Sequence, residues 1–473
     1  MKEEGKREGR SRKYAATLVV CAVAAGVAYT LSPLSVVCAV SMVLVIRWTA
    51  SGLEGRERRW VLATMCAALA LRAIAIAVLP FLVDPNRQAY TSYFGDAQYA
   101  IQRSIWIRNI SFGIPVASRD YFEAFEPVFG WSGYNYALAF LQVLFGPSPY
   151  GLALLSAALF LAASAILYRQ SRANFGRVAA SAGLVWLVFT PTWFAWSVAP
   201  LKEPAQFFLL AVAGAATMAI VTRRPAAKLV PVAVLAAVLA LSDTLRSGGL
   251  AIAAIGVIVA ATLWLGTRRW WTATAVLCLM VVGLAVGART PSIRSRVILG
   301  VREAALRHWG HVLSPGSTYQ LLDQRFYARV SPYADDAPPF ALSFDEGVRY
   351  LIRAVVAFFV QPLPSTFDSF RWLAMTPIVV LWYVANLLAL VGAVWGMVRR
   401  PLLTSWLVGL VVAGVVVIAP NSGNVGTLIR HRDIVTPFVI MLAAFGGLSL
   451  LQRAVMASDF LHVGANKAVA LWR

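Results

Sequence analysis

The chain has 473 residues, 59% of them hydrophobic and 13% charged, with a formal net charge of +21 and a mean hydropathy of +0.70. These proportions exclude an ordinary soluble domain, and the basic residues are scattered between apolar runs, which excludes a continuous nucleic-acid-binding surface. What remains is an all-α polytopic membrane protein whose partners are the lipid bilayer and anionic, lipid-linked substrates, with no nucleic acid.

The basic head "MKEEGKREGRSRKY" leads into an apolar stretch broken at "TLSPLS" without a small-residue cleavage site, so it reads as a retained anchor. Apolar segments near spanning length are predicted at 15–31, 34–47, 60–83, 150–168, 177–195, 203–222, 228–243, 248–266, 270–288, 372–397, 402–420 and 434–452, about 12 transmembrane helices in all. A shorter segment, 133–147, decides the orientation of everything after it. If it returns to the outer face, the clusters "RWTASGLEGRERR", "RQSRANFGR", "TRRPAAK", "GTRRWW" and "VRRP" all fall inside with both termini, as the positive-inside rule requires. The chain then divides into a basic tail with a helical hairpin (1–59), a transmembrane core (60–288) with a first outer loop at 84–149, a large outer loop (289–371) and C-terminal helices with a cytoplasmic tail (372–473). Cys21, Cys38, Cys66 and Cys278 sit in apolar runs without metal-site spacing and read as packing residues.

On this threading, the polar residues collect at the outer boundary. Lys202 and Glu203 of "PLKEP", Asp243 and Arg246 of "LSDTLRSGG", and Arg430, His431 and Arg432 of "GTLIRHRDIVTP" all lie there. In "YFGDAQYAIQRSIWIRN" a helix starting near Gly95 places Ala97, Ile101 and Ile105 on one face, and Asp96, Tyr99 and Arg103 on another. The segment "DEGVRYLIRAVVAFFV" is predicted as a helix lying in the interface, flanked by Pro-rich connectors.

This arrangement resembles the GT-C superfamily of multispanning glycosyltransferases. Its members carry an acidic residue early in a long first outer loop, two surface helices in that loop, a second polar outer turn, and a large outer loop after the seventh core helix. Asp96 in "YFGDAQYA" matches the first acid, 133–147 the second surface helix, and "PLKEP" the second turn, where the family usually has Asp. The run "GYNYALAFLQVLFGPSPYGLALLSAALFLAASAILY" is similar to the corresponding region of bacterial members. The resemblance implies transfer of a sugar from a polyprenyl-phosphate donor to a glycan, lipid or protein acceptor at the outer leaflet of the inner (plasma) membrane, in cell-envelope polysaccharide biosynthesis. It implies no certain cofactor and leaves a divalent cation open.

Such a transfer needs one base for the acceptor hydroxyl and fixed cations for the departing phosphate. Asp96 is the candidate base, with helix N-capping as its structural alternative. Lys202, Arg246, Arg430 and Arg432 are candidate phosphate contacts, the last two following a flexible "NSGNVG" turn. Glu203 is a candidate for orienting the acceptor or helping to hold a divalent ion, while Lys202–Glu203 and Asp243–Arg246 also suit simple ion pairs. Asp243, Tyr99 and Arg103 complete the candidate substrate-binding set. Arg72, midway along an apolar run, must face protein or a polar cavity. His308 and His311 lack a third ligand and read as structural. Two other functions use the same outer cations: a ligase or polymerase of polyprenyl-diphosphate-linked glycans, and a transporter or flippase of lipid-linked sugars, which should show paired discontinuous helices or internal symmetry.

Overall fold

The computed structural model describes residues 17–23, 26, 32–82, 94–125, 133–246, 248–314, 316–327, 342–363 and 375–471. Eight helices among them are long and apolar enough to cross a bilayer, or nine if one bent pair is a single span. The protein is therefore an all-α, multispanning membrane protein. Most of the predicted segment 15–31 and the connectors "SPYADDAPPF" and "QPLPSTFD" lie wholly or largely outside the described residues.

The chain divides into two interleaved units. The first comprises Met1–Ala165, Trp193–Leu209 and Thr244–Ser247. Its helices are α1 (Pro33–Thr49), α2 (Gly55–Leu82), α3 (Gly95–Ser111), α4 (Ser118–Phe125), α5 (Gly133–Phe145) and the first part of α6 (Pro149–Phe175). Proline at the first turn of α1 fits a position whose N–H would be unbonded anyway. At 17 residues α1 is shorter than the usual span. Segment 133–147 forms α5, whose 13 residues are too short to cross unaided. Instead α5 packs against α3, where Gln142 Nε2 donates to Ser104 Oγ at 2.6 Å and Arg108 Nε donates to the Gln142 carbonyl at 3.1 Å. Of the four cysteines, Cys38 is buried, its thiol against the Gly151 carbonyl, whereas Cys21, Cys66 and Cys278 are exposed and do not pack the core.

The predicted span 177–195 is not one helix. It breaks into α7 (Arg177–Phe189) and α8 (Pro191–Ser197), with Thr190 extended between them. Pro191 explains the break, because it lacks the N–H that would continue the ladder and disfavours helical geometry in the residue before it. A tight turn, 198–201, with Leu201 N donating to the Ala199 carbonyl, then leads into α9 (Lys202–Thr222).

The second unit holds Ile166–Thr192, Leu210–Asp243 and Gly248–Arg473. It contains α10 (Leu229–Leu245), α11 (Gly249–Arg268), α12 (Trp270–Arg289), α13 (Pro291–Leu313), α14 (Gln324–Tyr327), α15 (Phe344–Val360), α16 (Thr376–Arg399), α17 (Pro401–Ile418), α18 (Val425–Arg432) and α19 (Thr436–Leu471). Small residues let its membrane helices approach closely. A Cβ on Gly409 would lie 2.5 Å from the Gly256 carbonyl of α11, and Gly392 and Gly446 leave no room for a Cβ between α16 and α19. Helix α15 is two-faced. Glu346, Tyr350, Ala354 and Phe358 are buried, while Phe344, Ile352 and Val356 are exposed, as suits a helix lying along an apolar boundary.

Candidate functional site

In the first unit, α3 begins at Gly95 with Phe94 as its N-cap residue, and no side chain caps it. Asp96 is thus in the first turn and not at the cap position, so the capping alternative does not hold. Its carboxylate still gains from the helix dipole, and the side chain is exposed. Ala97, the next residue, is fully buried in a cluster with Ala199 and Leu201, and the Phe94 ring meets Trp196 at a centroid distance of 5.3 Å. The start of α3 is therefore seated on the turn that immediately precedes Lys202 and Glu203. The predicted polar face of α3 is only partly right. Tyr99 is half-buried, and Arg103 is buried with its guanidinium 4.3 Å above the Tyr99 ring.

Lys202 is partly exposed, whereas Glu203 is completely buried. A buried carboxylate needs a compensating charge or hydrogen bonds, and Arg246 Nη1 lies 3.6 Å from Glu203 Oε1, its side chain 10% exposed. Helix α10 ends at Leu245, so Arg246 follows it, and the ion pair seen for Arg246 within the first unit is the one with Glu203. Asp243 is exposed and belongs to the second unit. Further residues not singled out from sequence belong to this part of the first unit. Tyr134, near the start of α5, is buried close to Ser156 and Glu203, and burial above all holds its phenol neutral, far above its usual pKa. Gly133 brings α5 against Thr244, since a Cβ there would sit 2.6 Å from Thr244 Oγ1. Gln206, one turn beyond Glu203, is fully buried, and neither of its amide atoms has a hydrogen-bond partner among the described residues. Its sequence signal was present: an amide three residues after Glu203 falls on the same helical face.

Arg72 is buried in protein. Its Nε donates to Ser197 Oγ at 2.7 Å and its guanidinium lies 4.5 Å from the Phe160 ring centroid, tying α2 to α8.

The second unit holds the other predicted residues. The "NSGNVG" turn is tightly built. Tyr319 N donates to the Gly423 carbonyl, Val425 N donates to the Ser317 carbonyl, and Asn424 caps α18. Fully buried His308 stands behind it: Nδ1 lies 2.7 Å from the Ser422 carbonyl and must donate, leaving Nε2 to accept from the Tyr327 hydroxyl at 2.7 Å. Burial pulls its pKa down to about 4, with the Ser422 bond opposing. His311 is lowered as well, by burial first. Arg432 is buried rather than loop-exposed. Its Nη1 donates to the Phe358 and Gln361 carbonyls at 3.1 and 2.8 Å, and its guanidinium stacks 4.3 Å over Trp382. Burial lowers its pKa to about 10, so it stays cationic at neutral pH. Arg432 thus joins α18 to the end of α15, while Arg430 and His431 remain partly exposed.

No group of three or more His, Cys, Asp or Glu side chains suited to a metal occurs among the described residues. A divalent cation fits poorly at Glu203, where it would compete with a guanidinium for a single carboxylate. No family model, curated protein or solved structure matches the chain.

Proposed function

We propose that the protein is a membrane glycosyltransferase of GT-C type, moving a sugar from a polyprenyl-phosphate donor to a hydroxyl acceptor at the outer leaflet, in the synthesis of cell-envelope glycans. The observation that carries this reading is the seating of the Asp96 helix start, through Ala97, on Ala199 and Leu201, beside Lys202 and the buried Glu203–Arg246 pair. One exposed carboxylate beside two cations is the minimum set for the reaction.

In this reading Asp96 takes the proton of the acceptor hydroxyl as its oxygen attacks the anomeric carbon. The bond from that carbon to the phosphate oxygen breaks, and polyprenyl phosphate departs with the electron pair. Lys202 and Arg246 neutralise its charge, so no acid is needed for the leaving group. Glu203 holds Arg246 in place and does not itself meet phosphate, which its charge would repel. No step passes through a metal.

The test is turnover by purified protein in detergent, with polyprenyl-phosphate sugars and a soluble glycan acceptor, followed by release of the lipid phosphate. A transporter has no opposite compartment in a micelle and would release none.

A further inference from the structure

Gln206 is a buried amide with neither donor nor acceptor matched among the described residues, and such a group costs stability unless something occupies it. It lies on α9 one turn past Glu203, itself wholly buried, and the phenol of buried Tyr134 is close enough to Glu203 to feel its charge. Together they offer a carboxylate acceptor, an amide that both donates and accepts, and a phenol kept neutral by burial. Arg246 offsets the charge on Glu203, so a neutral polar ligand meets no uncompensated carboxylate there. Groups that both donate and accept at close spacing match vicinal hydroxyls.

We infer that Gln206, Glu203 and Tyr134 form a recess that recognises the hydroxyls of a sugar ring, with Gln206 the principal residue for sugar selectivity. The inference rests on the glycosyltransferase reading, and it names the part of the site that distinguishes one sugar from another. A site built to hydrogen-bond a hydroxyl discriminates strongly against ligands lacking it, because its own buried groups are then left unpaired.

The experiment compares wild type with Gln206→Leu and Gln206→Glu by thermal shift in detergent. The probes are bare polyprenyl phosphate and the same lipid carrying glucose, mannose, galactose or arabinose. Wild type is expected to gain more stability from at least one sugared lipid than from the bare lipid. Gln206→Leu, which removes an unmatched amide, should be at least as stable alone, should keep the response to bare lipid, and should bind the preferred sugared lipid about tenfold less tightly. Gln206→Glu, keeping one acceptor but losing the donor, should change the order of preference among the sugars. Equal stabilisation of wild type by bare and sugared lipids would overturn the inference, as would an unchanged sugar increment in Gln206→Leu with fold intact. Loss of stability alone in Gln206→Leu, with sugar preference retained, would instead mark Gln206 as a structural residue satisfied by internal water. If wild type binds sugared lipid selectively but never releases lipid phosphate, the transferase reading fails while the recess stands.

Discussion

Removing the charge of Glu203 exposes what the buried pair contributes. Glu203→Gln retains size and one acceptor but leaves Arg246, only 10% exposed, facing a neutral amide at 3.6 Å. At that separation, with an effective dielectric of 20, the attraction is about 4 to 5 kcal/mol, and desolvating both ions cancels part of it. We expect Glu203→Gln to cost about 3 kcal/mol, as breaking one side of a buried pair does. The double variant Glu203→Gln/Arg246→Met should recover part of that loss, giving a coupling of about 2 kcal/mol. Unfolding in mixed detergent micelles, measured for both single variants and the double, closes the cycle. Additivity within about 0.5 kcal/mol, the range expected of independent sites, would refute the pairing and with it the electrostatic centre of the proposed site.

Arg432→Lys should destabilise the protein by about 1 to 3 kcal/mol, because an ammonium cannot both reach the Phe358 and Gln361 carbonyls and stack on Trp382; the melting temperature checks this, and unchanged stability would contradict the anchoring role. His308 has its folded pKa lowered to about 4 against about 6.5 when unfolded, so the unfolded state binds more protons between those values and stability falls as pH drops through that window. The full effect is about 3 kcal/mol, and His308→Gln should flatten the profile between pH 6.5 and 5 if the imidazole is its source. In a background free of the four native cysteines, exposed Ser118→Cys should react with an impermeant thiol reagent added outside spheroplasts and exposed Ala226→Cys should not; the reverse would invert the topology.

The helices were legible in the sequence because apolar runs of spanning length leave the backbone few alternatives, and the start of α3 was read correctly from Gly95. Breaks were harder to see. Hydropathy cannot register that Pro191 interrupts a run that is apolar on both sides, and helical spacing cannot show that α10 stops one residue before Arg246. The partner of Glu203 was hidden for the same reason, since it comes from a segment more than forty residues away that only the tertiary fold brings near. The depth of the arginines was misjudged because they were read as charges. Arg432 and Arg103 are buried through stacking on Trp382 and Tyr99, contacts that no local pattern announces. Gln206 was visible in the sequence, in register with Glu203, but an amide within an apolar helix draws notice only once its lack of a partner is known.

The most direct test of the proposed chemistry is the turnover of Asp96→Asn. Asparagine keeps the size of the side chain in the first turn of α3 and an oxygen able to accept hydrogen bonds, while removing the base. Release of polyprenyl phosphate from the sugared lipid should fall at least about a hundredfold, the lower range for general-base catalysis, with melting temperature and lipid binding unchanged. Wild-type turnover in Asp96→Asn would contradict the account, removing Asp96 as the base and favouring an arginine-dependent ligase or polymerase.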